Sequence, residues 1–375
     1  MKNRKFDFTL LLITVLLFAI GLISLYSATY QFSYKQTGNI LQNFIIRQIV
    51  WFIFAFLIGI VIVKVSYQKW LEFAYPLYAV NLLLLLLVLI GGQARLGAQR
   101  WISFGNIAFQ PAEVSKLVII LALSRYLGQR VTISGKDLSY RQARLGKRRL
   151  AVAFLIVGLP FVLIVKQPDL GTALTLIPIL LTILYIRGVG LRTLVLIFVA
   201  ASLSSPLLWQ MLKDYQKRRI LVFINPDLDP LGAGYTIIQS KIAIGSGGLA
   251  GKGWLAGTQN QLNFLPERHT DFIFSVIGEE WGFAGAILLL ILYLILIWRS
   301  FSIAQGTTSL SARLLICGII AMLSFQIVVN ISMTMGFLPV VGLPLPLISY
   351  GGSSLLTTMA SIAFILNIGM RKTLF

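Results

Sequence analysis

The sequence predicts an all-α fold, a polytopic transmembrane helix bundle of about ten spans, with one long polar segment, roughly residues 213–271, outside the lipid. Three observations carry this. Hydrophobic residues fill 57% of the 375 positions and charged residues only 12%, when a soluble domain needs about a quarter charged to cover its surface. The mean hydropathy is +0.86. The apolar residues fall into long runs with little or no charge, and about 20 such residues cross a bilayer's hydrocarbon.

Those runs lie at roughly 8–28, 48–63, 73–92, 107–124, 151–165, 168–186, 193–212, 272–298, 314–336 and 350–370. The first follows Met1-Lys2-Asn3-Arg4-Lys5 and imitates a secretory leader, but its length suits a retained first span. The stretch 151–186 is expected to form two short helices around Gln167-Pro168-Asp169. Proline removes a backbone donor there, and an aspartate is costly at mid-bilayer. The whole chain, 1–375, reads as one integral membrane domain, with its longest outer connection between spans seven and eight.

Positive charge sets the orientation. The connection 125–149 holds Arg125, Arg130, Lys136, Arg141, Arg144, Lys147, Arg148 and Arg149 against a single Asp137, so it is placed in the cytoplasm. An even number of spans then leaves both termini cytoplasmic and puts 29–47, 92–108, 213–271 and 337–349 outside. The 32 Lys+Arg against 12 Asp+Glu, a net charge of +20, thus serve orientation and anionic headgroups. No nucleic-acid partner is expected. The one cysteine, Cys317, lies in an apolar run, which excludes an internal disulfide and a multi-thiolate metal site.

The outer segment still carries Lys213, Lys217, Arg218, Arg219, Lys241, Lys252 and Arg268, against the orientation rule, which suggests anion binding. Thr236–Ile244 is expected as a short amphipathic helix at the interface, capped by Thr236, placing Gln239 and Lys241 near the glycine-rich run 245–253. The pattern Gly245-x-Gly247-x-x-Ala250 loosely matches a dinucleotide fingerprint, but no strand precedes it, and these glycines are read as tight turns.

Asp271 stands where this segment enters an apolar helix. Partial desolvation suits it to be a general base, while Thr270 or Asp271 as a helix N-cap is an adequate structural alternative. His269, the only histidine, cannot build a His-rich metal site and is read as an interface hydrogen-bonder. Glu279 and Glu280 lie deeper and are expected to pair with Arg or Lys. Glu113 and Lys116, at i, i+3, project from one helical face. They form either a structural ion pair or a polar cavity wall. Arg95, Arg100 and Trp101 precede them on the outer side, suited to a phosphate or a sugar face.

At Gly97-Ala98-Gln99-Arg100-Trp101-Ile102, Gln110-Pro111-Ala112-Glu113-Val114-Ser115-Lys116, Gln167-Pro168-Asp169-Leu170-Gly171-Thr172, Asp229–Lys241, Leu265–Phe274 and Pro344–Ser354 the sequence resembles the SEDS family of bacterial shape, elongation, division and sporulation proteins. The resemblance covers nearly the whole chain and is closer to the elongation branch than to the division branch. Ala112 stands where the family commonly has Ser. The resemblance implies a peptidoglycan glycosyltransferase that polymerises lipid II on the outer face of the bacterial cytoplasmic membrane, for elongation and rod shape. It implies a class B penicillin-binding protein as transpeptidase partner and membrane lipid as surroundings.

Asp271 matches the family's essential aspartate, and Glu113 and Lys116 its cavity pair. Arg100, Lys241 and Arg268 are then candidates to stabilise a departing diphosphate, and Gln239 to line the substrate site. No tightly bound cofactor is expected, although a divalent cation, Mg or Mn, would suit a diphosphate. Two rivals stand beside this reading: a flippase for a lipid-linked precursor, which would need polar groups through the whole depth, and a scaffold, for which Asp271 is dispensable.

Overall fold

The computed structural model describes residues 6–36, 40–95, 98–104, 107–129, 132–133, 136–137, 146–203, 209–210, 214–225, 228–229 and 232–371. In chain order the helices are α1 (Phe8–Gln36), α2 (Ile40–Lys64), α3 (Tyr67–Glu72), α4 (Ala74–Gly91), α5 (Pro111–Gly128), α6 (Lys147–Lys166), α7 (Leu170–Ile186), α8 (Leu191–Leu203), α9 (Asp214–Ile224), α10 (Ala233–Ser246), α11 (Thr258–Gln261), α12 (Ile273–Gln305), α13 (Leu310–Thr334) and α14 (Gly352–Arg371). Among the described residues seven helices are long and apolar enough to cross a membrane: those beginning at Phe8, Phe44, Ala74, Lys147, Ile273, Leu310 and Gly352. The chain is a multi-pass membrane protein.

The other three expected spans coincide with α5, α7 and α8. Helix α7 has 17 residues and α8 13, with 204–208 outside the described residues. Helix α5 carries three charges, Glu113, Lys116 and Arg125. It tolerates them because it is the hub of the bundle, packed on α4, α6, α7, α13 and α14. Lipid therefore does not solvate that polar stripe.

The break at Gln167–Asp169 is as expected, and Asp169 caps α7, accepting from the Thr172 amide at 3.3 Å and its hydroxyl at 3.0 Å. Between α4 and α5 the chain is not helical. It forms an antiparallel sheet of β1 (Gln93–Arg95), β2 (Ala98–Phe104) and β3 (Ile107–Phe109), with Ile102 opposite Phe109 and Phe104 opposite Ile107. Runs this short give periodicity little to work with.

The two ends of the bundle differ. At one, Arg299 pairs with Asp7 at 2.6 Å, Arg371 donates to the Lys64 carbonyl at 2.9 Å, and Arg125 to the Leu71 carbonyl at 3.1 Å. The flanks of the basic connection belong to α5 and α6, while most of its middle lies outside the described residues. At the other end the β-sheet, α9–α11 and the loop 335–351 gather.

The segment 213–271 is structured rather than a loose loop. Helix α10 begins at Ala233, three residues before the expected start, with Gly232 as its N-cap. Thr236 lies inside the first turn and bonds back to the Gly232 carbonyl at 3.3 Å, so it caps nothing. Ile237, Ser240 and Ala243 face inward, and the Ser240 hydroxyl lies 2.6 Å from both the Ser275 hydroxyl and the Thr334 carbonyl.

The glycine-rich run has a specific task. Helix α12 breaks at Gly282, whose φ of +65° favours glycine. The backbone groups freed there bond to 248–253: the Lys252 and Gly253 amides donate to the Glu279 and Glu280 carbonyls, and the Phe283 and Ala284 amides to the Gly248 and Leu249 carbonyls, all at 2.9–3.0 Å. A Cβ at Gly251 would lie 2.1 Å from the Glu280 carbonyl oxygen, which shows how closely the two backbones meet. Side chains seal the joint. Glu279 pairs with Lys252 at 2.8 Å, as expected of it, and also accepts from the Gln259 amide at 2.9 Å. Among the described residues Glu280 takes no Arg or Lys, accepting instead from the Ser27 hydroxyl and from Asn260 at 3.3 Å.

Candidate functional site

The segment before α12 is held by its carbonyls. The His269 carbonyl accepts from the Tyr350 amide at 2.9 Å, that of Thr270 from the Ser349 hydroxyl at 2.6 Å, and that of Asp271 from Asn330 Nδ2 at 2.9 Å. The N-cap of α12 is Phe272, with no side-chain cap. Thr270 turns its hydroxyl back to the Glu267 carbonyl at 3.2 Å and to Glu267 Oε2 at 3.1 Å. Neither Thr270 nor Asp271 therefore caps the helix, and the structural alternative for Asp271 falls away.

Among the described residues no hydrogen-bond donor reaches the Asp271 carboxylate. It rests against Gly342, whose φ of +74° favours glycine and where a Cβ would meet Asp271 Oδ2 at 3.5 Å. The side chain keeps some access to solvent but is densely surrounded by protein. Desolvation, followed by the negative charge of Glu267, pushes its pKa up to about 6; Arg219 and Arg100 pull the other way and Asp169 adds a smaller upward push. A carboxylate without donors, titrating near neutrality, is a proton acceptor in waiting.

Two guanidinium groups flank it. Arg100, on β2, donates through Nε to the Gln167 carbonyl at 3.3 Å and through Nη2 to the Pro168 carbonyl, with Nη1 3.9 Å from Asp169. It thus answers the carbonyls at the C-terminal end of α6. Asp169 is itself fixed by Gln110 Nε2 at 2.7 Å. Arg219, on α9, donates to the Val340 carbonyl at 3.2 Å, two residues from the Gly342 wall. The sequence names Arg219 only as one of several outer bases. Nothing in Lys217-Arg218-Arg219 says which side chain turns inward, and Arg218 goes instead to Asp229 at 3.2 Å.

The remaining expected residues are spread more widely. Lys116 and Glu113 pair at 2.8 Å on α5, Lys116 fully buried, with Ser115 bonded to Asn81 at 3.0 Å beside them. The charges that shift Asp271 are those of Glu267, Arg219, Arg100 and Asp169 rather than this pair; the nearest link is Gln110, the N-cap of α5. Arg268 is buried, donating to the Ala28 carbonyl of α1 at 2.6 Å and to Asn263, and burial lowers its pKa to about 10. That arrangement brackets the segment to α1 rather than presenting a cation to ligand. Lys241 is exposed on α10 with its stem over Gly336, and Gln239 is half-buried on the same helix. The His269 ring sits in an aromatic group with Phe44 at 5.1 Å and Tyr350 at 6.1 Å, and burial lowers its pKa. Among the described residues no three His, Cys, Asp or Glu gather as a metal cage. Mg²⁺ held by one or two carboxylates and a substrate's own phosphates needs none.

A desolvated carboxylate with no donor among the described residues, within electrostatic reach of two guanidiniums, thus lies at one end of a multi-pass membrane helix bundle. The chain belongs to the SEDS family: the FtsW, RodA and SpoVE family model, described as cell cycle protein, matches residues 8–374. It is 42% identical over 303 residues to a protein of Escherichia coli (strain K12) named peptidoglycan glycosyltransferase MrdB, covering 80% of this chain and 78% of that one. Its fold matches a solved chain described under polymerization and crosslinking by a peptidoglycan synthase complex, with a TM-score of 0.81, 36% identity and 98% and 99% of the two chains covered. It also matches the Thermus thermophilus rod shape determining protein RodA, with a TM-score of 0.70, 32% identity and 98% of each chain covered.

Proposed function

We infer that this chain is a peptidoglycan glycosyltransferase that polymerises lipid II in elongating cells, with Asp271 as its general base. The observation that carries the base assignment is the Asp271 carboxylate itself, free of donors among the described residues, raised to about 6 and set on a backbone pinned at three successive carbonyls. In the reaction the 4-hydroxyl of the acceptor GlcNAc attacks C1 of the donor MurNAc. The O4–C1 bond forms as the bond from C1 to the phosphate oxygen breaks. Asp271 takes the hydroxyl proton, and polyprenyl diphosphate leaves with the bonding pair. A base positioned in this way contributes about 10²–10⁴-fold.

The leaving diphosphate needs cations. Arg100 and Arg219 lie nearest the base, Lys241 is exposed on α10, and Mg²⁺ or Mn²⁺ on the diphosphate would add to them. Glu113 and Lys116 are read as a polar wall on α5, whose N-cap Gln110 holds Asp169 at 2.7 Å. The positive-inside rule puts the Arg299/Arg371 end and both termini in the cytoplasm and Asp271 on the outer face of the cytoplasmic membrane. The solved synthase complex supports a class B penicillin-binding protein as partner.

The test is purified Asp271→Asn given labelled lipid II, with and without the partner. Loss of glycan chains with folding retained is expected. Chains formed at the wild-type rate would rule out the base, and lipid II movement across vesicles without polymerisation would favour the flippase.

A further inference from the structure

We propose that Asn330 is a positioning residue for this reaction, clamping the backbone of Asp271 to the wall on which its carboxylate rests. The proposal stands on the reading of Asp271 as base. Asn330 lies in α13 and is fully buried. Its amide nitrogen donates to the Asp271 carbonyl at 2.9 Å and to the Leu343 carbonyl at 2.7 Å. Both partners are acceptors only, which fixes which end of the amide points at them. The other end, Oδ1, is buried without a hydrogen-bond partner among the described residues.

Leaving a buried acceptor unpaired is costly. A side chain selected only to fill this space would shed that oxygen. What Asn330 gives in return is one group reaching two segments at once, the start of α12 and the loop 335–351.

The rest of the contact shows why this third bond matters to chemistry more than to folding. His269 and Thr270 already tie their carbonyls to the same loop through Tyr350 and Ser349, so the two segments stay docked without Asn330. Among the described residues only Asn330 holds the carbonyl of Asp271 itself, and the residue next to Leu343 is Gly342, the wall beside Asp271 Oδ2. The carboxylate has, among the described residues, no hydrogen bond of its own to set its direction. Its placement therefore depends on how far the Asp271 backbone sits from that wall, which is the distance Asn330 spans. A small misplacement of a reacting group is enough to lose much of its effect.

The test uses the full chain with its penicillin-binding partner and labelled lipid II, comparing wild type, Asn330→Leu, Asn330→Ser and Ser349→Ala. Asn330→Leu keeps the size and removes the amide. Asn330→Ser is the polar fallback should the leucine variant fold poorly, since a serine cannot span both carbonyls. Expected for the folded Asn330 variants is a fall in kcat of at least about tenfold with KM within about twofold, the pattern of an interaction made in the transition state. The acid limb of the pH–rate profile, set by Asp271, should move below its wild-type position as the carboxylate relaxes toward water. Ser349→Ala, which frees the neighbouring Thr270 carbonyl and, within the loop, the Leu345 amide but leaves the Asp271 carbonyl bonded, should change kcat less and leave the limb in place.

A wild-type kcat and acid limb in either folded Asn330 variant overturns the proposal. So does a loss of activity that follows a fall in melting temperature while the limb stays fixed, because that is the signature of a merely structural residue. Asp271→Asn run in parallel separates the two readings. If it is active, the base assignment fails; if it is inactive while the Asn330 variants behave as wild type, only the clamp fails.

Discussion

Replacing Asp271 by Asn should make the protein nearly inactive and, at pH 8, as stable or more stable, with a stability change whose sign depends on pH. The folded state raises the carboxyl from 3.8 to about 6, so it holds the proton more tightly than the unfolded chain does. Below about pH 4 both states are protonated and nothing is lost. As pH rises the unfolded chain ionises first, and by pH 8 the folded state bears a penalty of about 3 kcal/mol, at about 1.4 kcal/mol for each factor of ten. Asparagine cannot ionise and escapes it. Its own amide takes over the donor-free site, returning about 1–3 kcal/mol as an unpaired buried group. The net gain is therefore at most about 2 kcal/mol at pH 8, and it turns into a loss of about 1–3 kcal/mol near pH 4, where the ionisation penalty is gone and the amide cost remains. Thermal unfolding of both proteins in nanodiscs across that pH range measures it, alongside glycan synthesis, which should fall by about 10²–10⁴. An Asn variant that melts below wild type at pH 8, or by a margin that does not change with pH, would mean that the carboxylate is not desolvated as described.

Glu267→Gln removes the like charge that helps hold Asp271 up, so the acid limb of kcat/KM should move to lower pH, whereas Arg219→Gln should move it higher; a pH–rate series on each variant decides. Glu113→Gln leaves Lys116 buried without its partner and should cost about 3–5 kcal/mol, with Glu113→Gln/Lys116→Met together recovering most of the melting temperature, read by thermal unfolding. Gly282→Ala forces a Cβ to within 2.3 Å of the Gly251 amide at a φ of +65° and should cost at least about 1–3 kcal/mol, seen as a lower melting temperature and faster proteolysis at the 247–253 turn.

Spans with a strong apolar signal were legible from sequence alone, since length and charge suffice for helices that face lipid. The difficulty came with helices buried by other helices. Helix α5 carries three charges and still runs through the centre of the bundle, because its solvent is protein, and hydropathy cannot distinguish that from water. Asp271 was visible as a carboxylate at a helix entrance, but not as one without donors: that depends on Thr270 turning back to Glu267 and on Phe272 taking the cap position. Arg268 and Arg219 show the same limit from opposite sides. Both are bases in the outer segment, yet α1 captures the first while the second reaches the loop beside the site. Charge and position along the chain were the same evidence for each, and only the third dimension separates them.

The break in α12 then explains how a membrane helix can present a precisely held carboxylate at all. A continuous helix from Ile273 to Gln305 would tie the base to a span free to tilt and shift with lipid thickness. At Gly282 the helix is interrupted, and the residues before it bond instead to the turn 248–253, to Lys252 and to Ser240 of α10. The same turn also accepts from the Phe283 and Ala284 amides after the break, so it braces the stub that follows Asp271 against its own span and the outer segment together. If Asp271 is the base, as proposed, a polymerase whose spans remain in a fluid bilayer gains from that brace. Of the glycines in the run 245–253, Gly247 and Gly251 are the ones that let the two backbones meet so closely, since a Cβ there would lie 2.0 Å from the Gly278 and 2.1 Å from the Glu280 carbonyl oxygen.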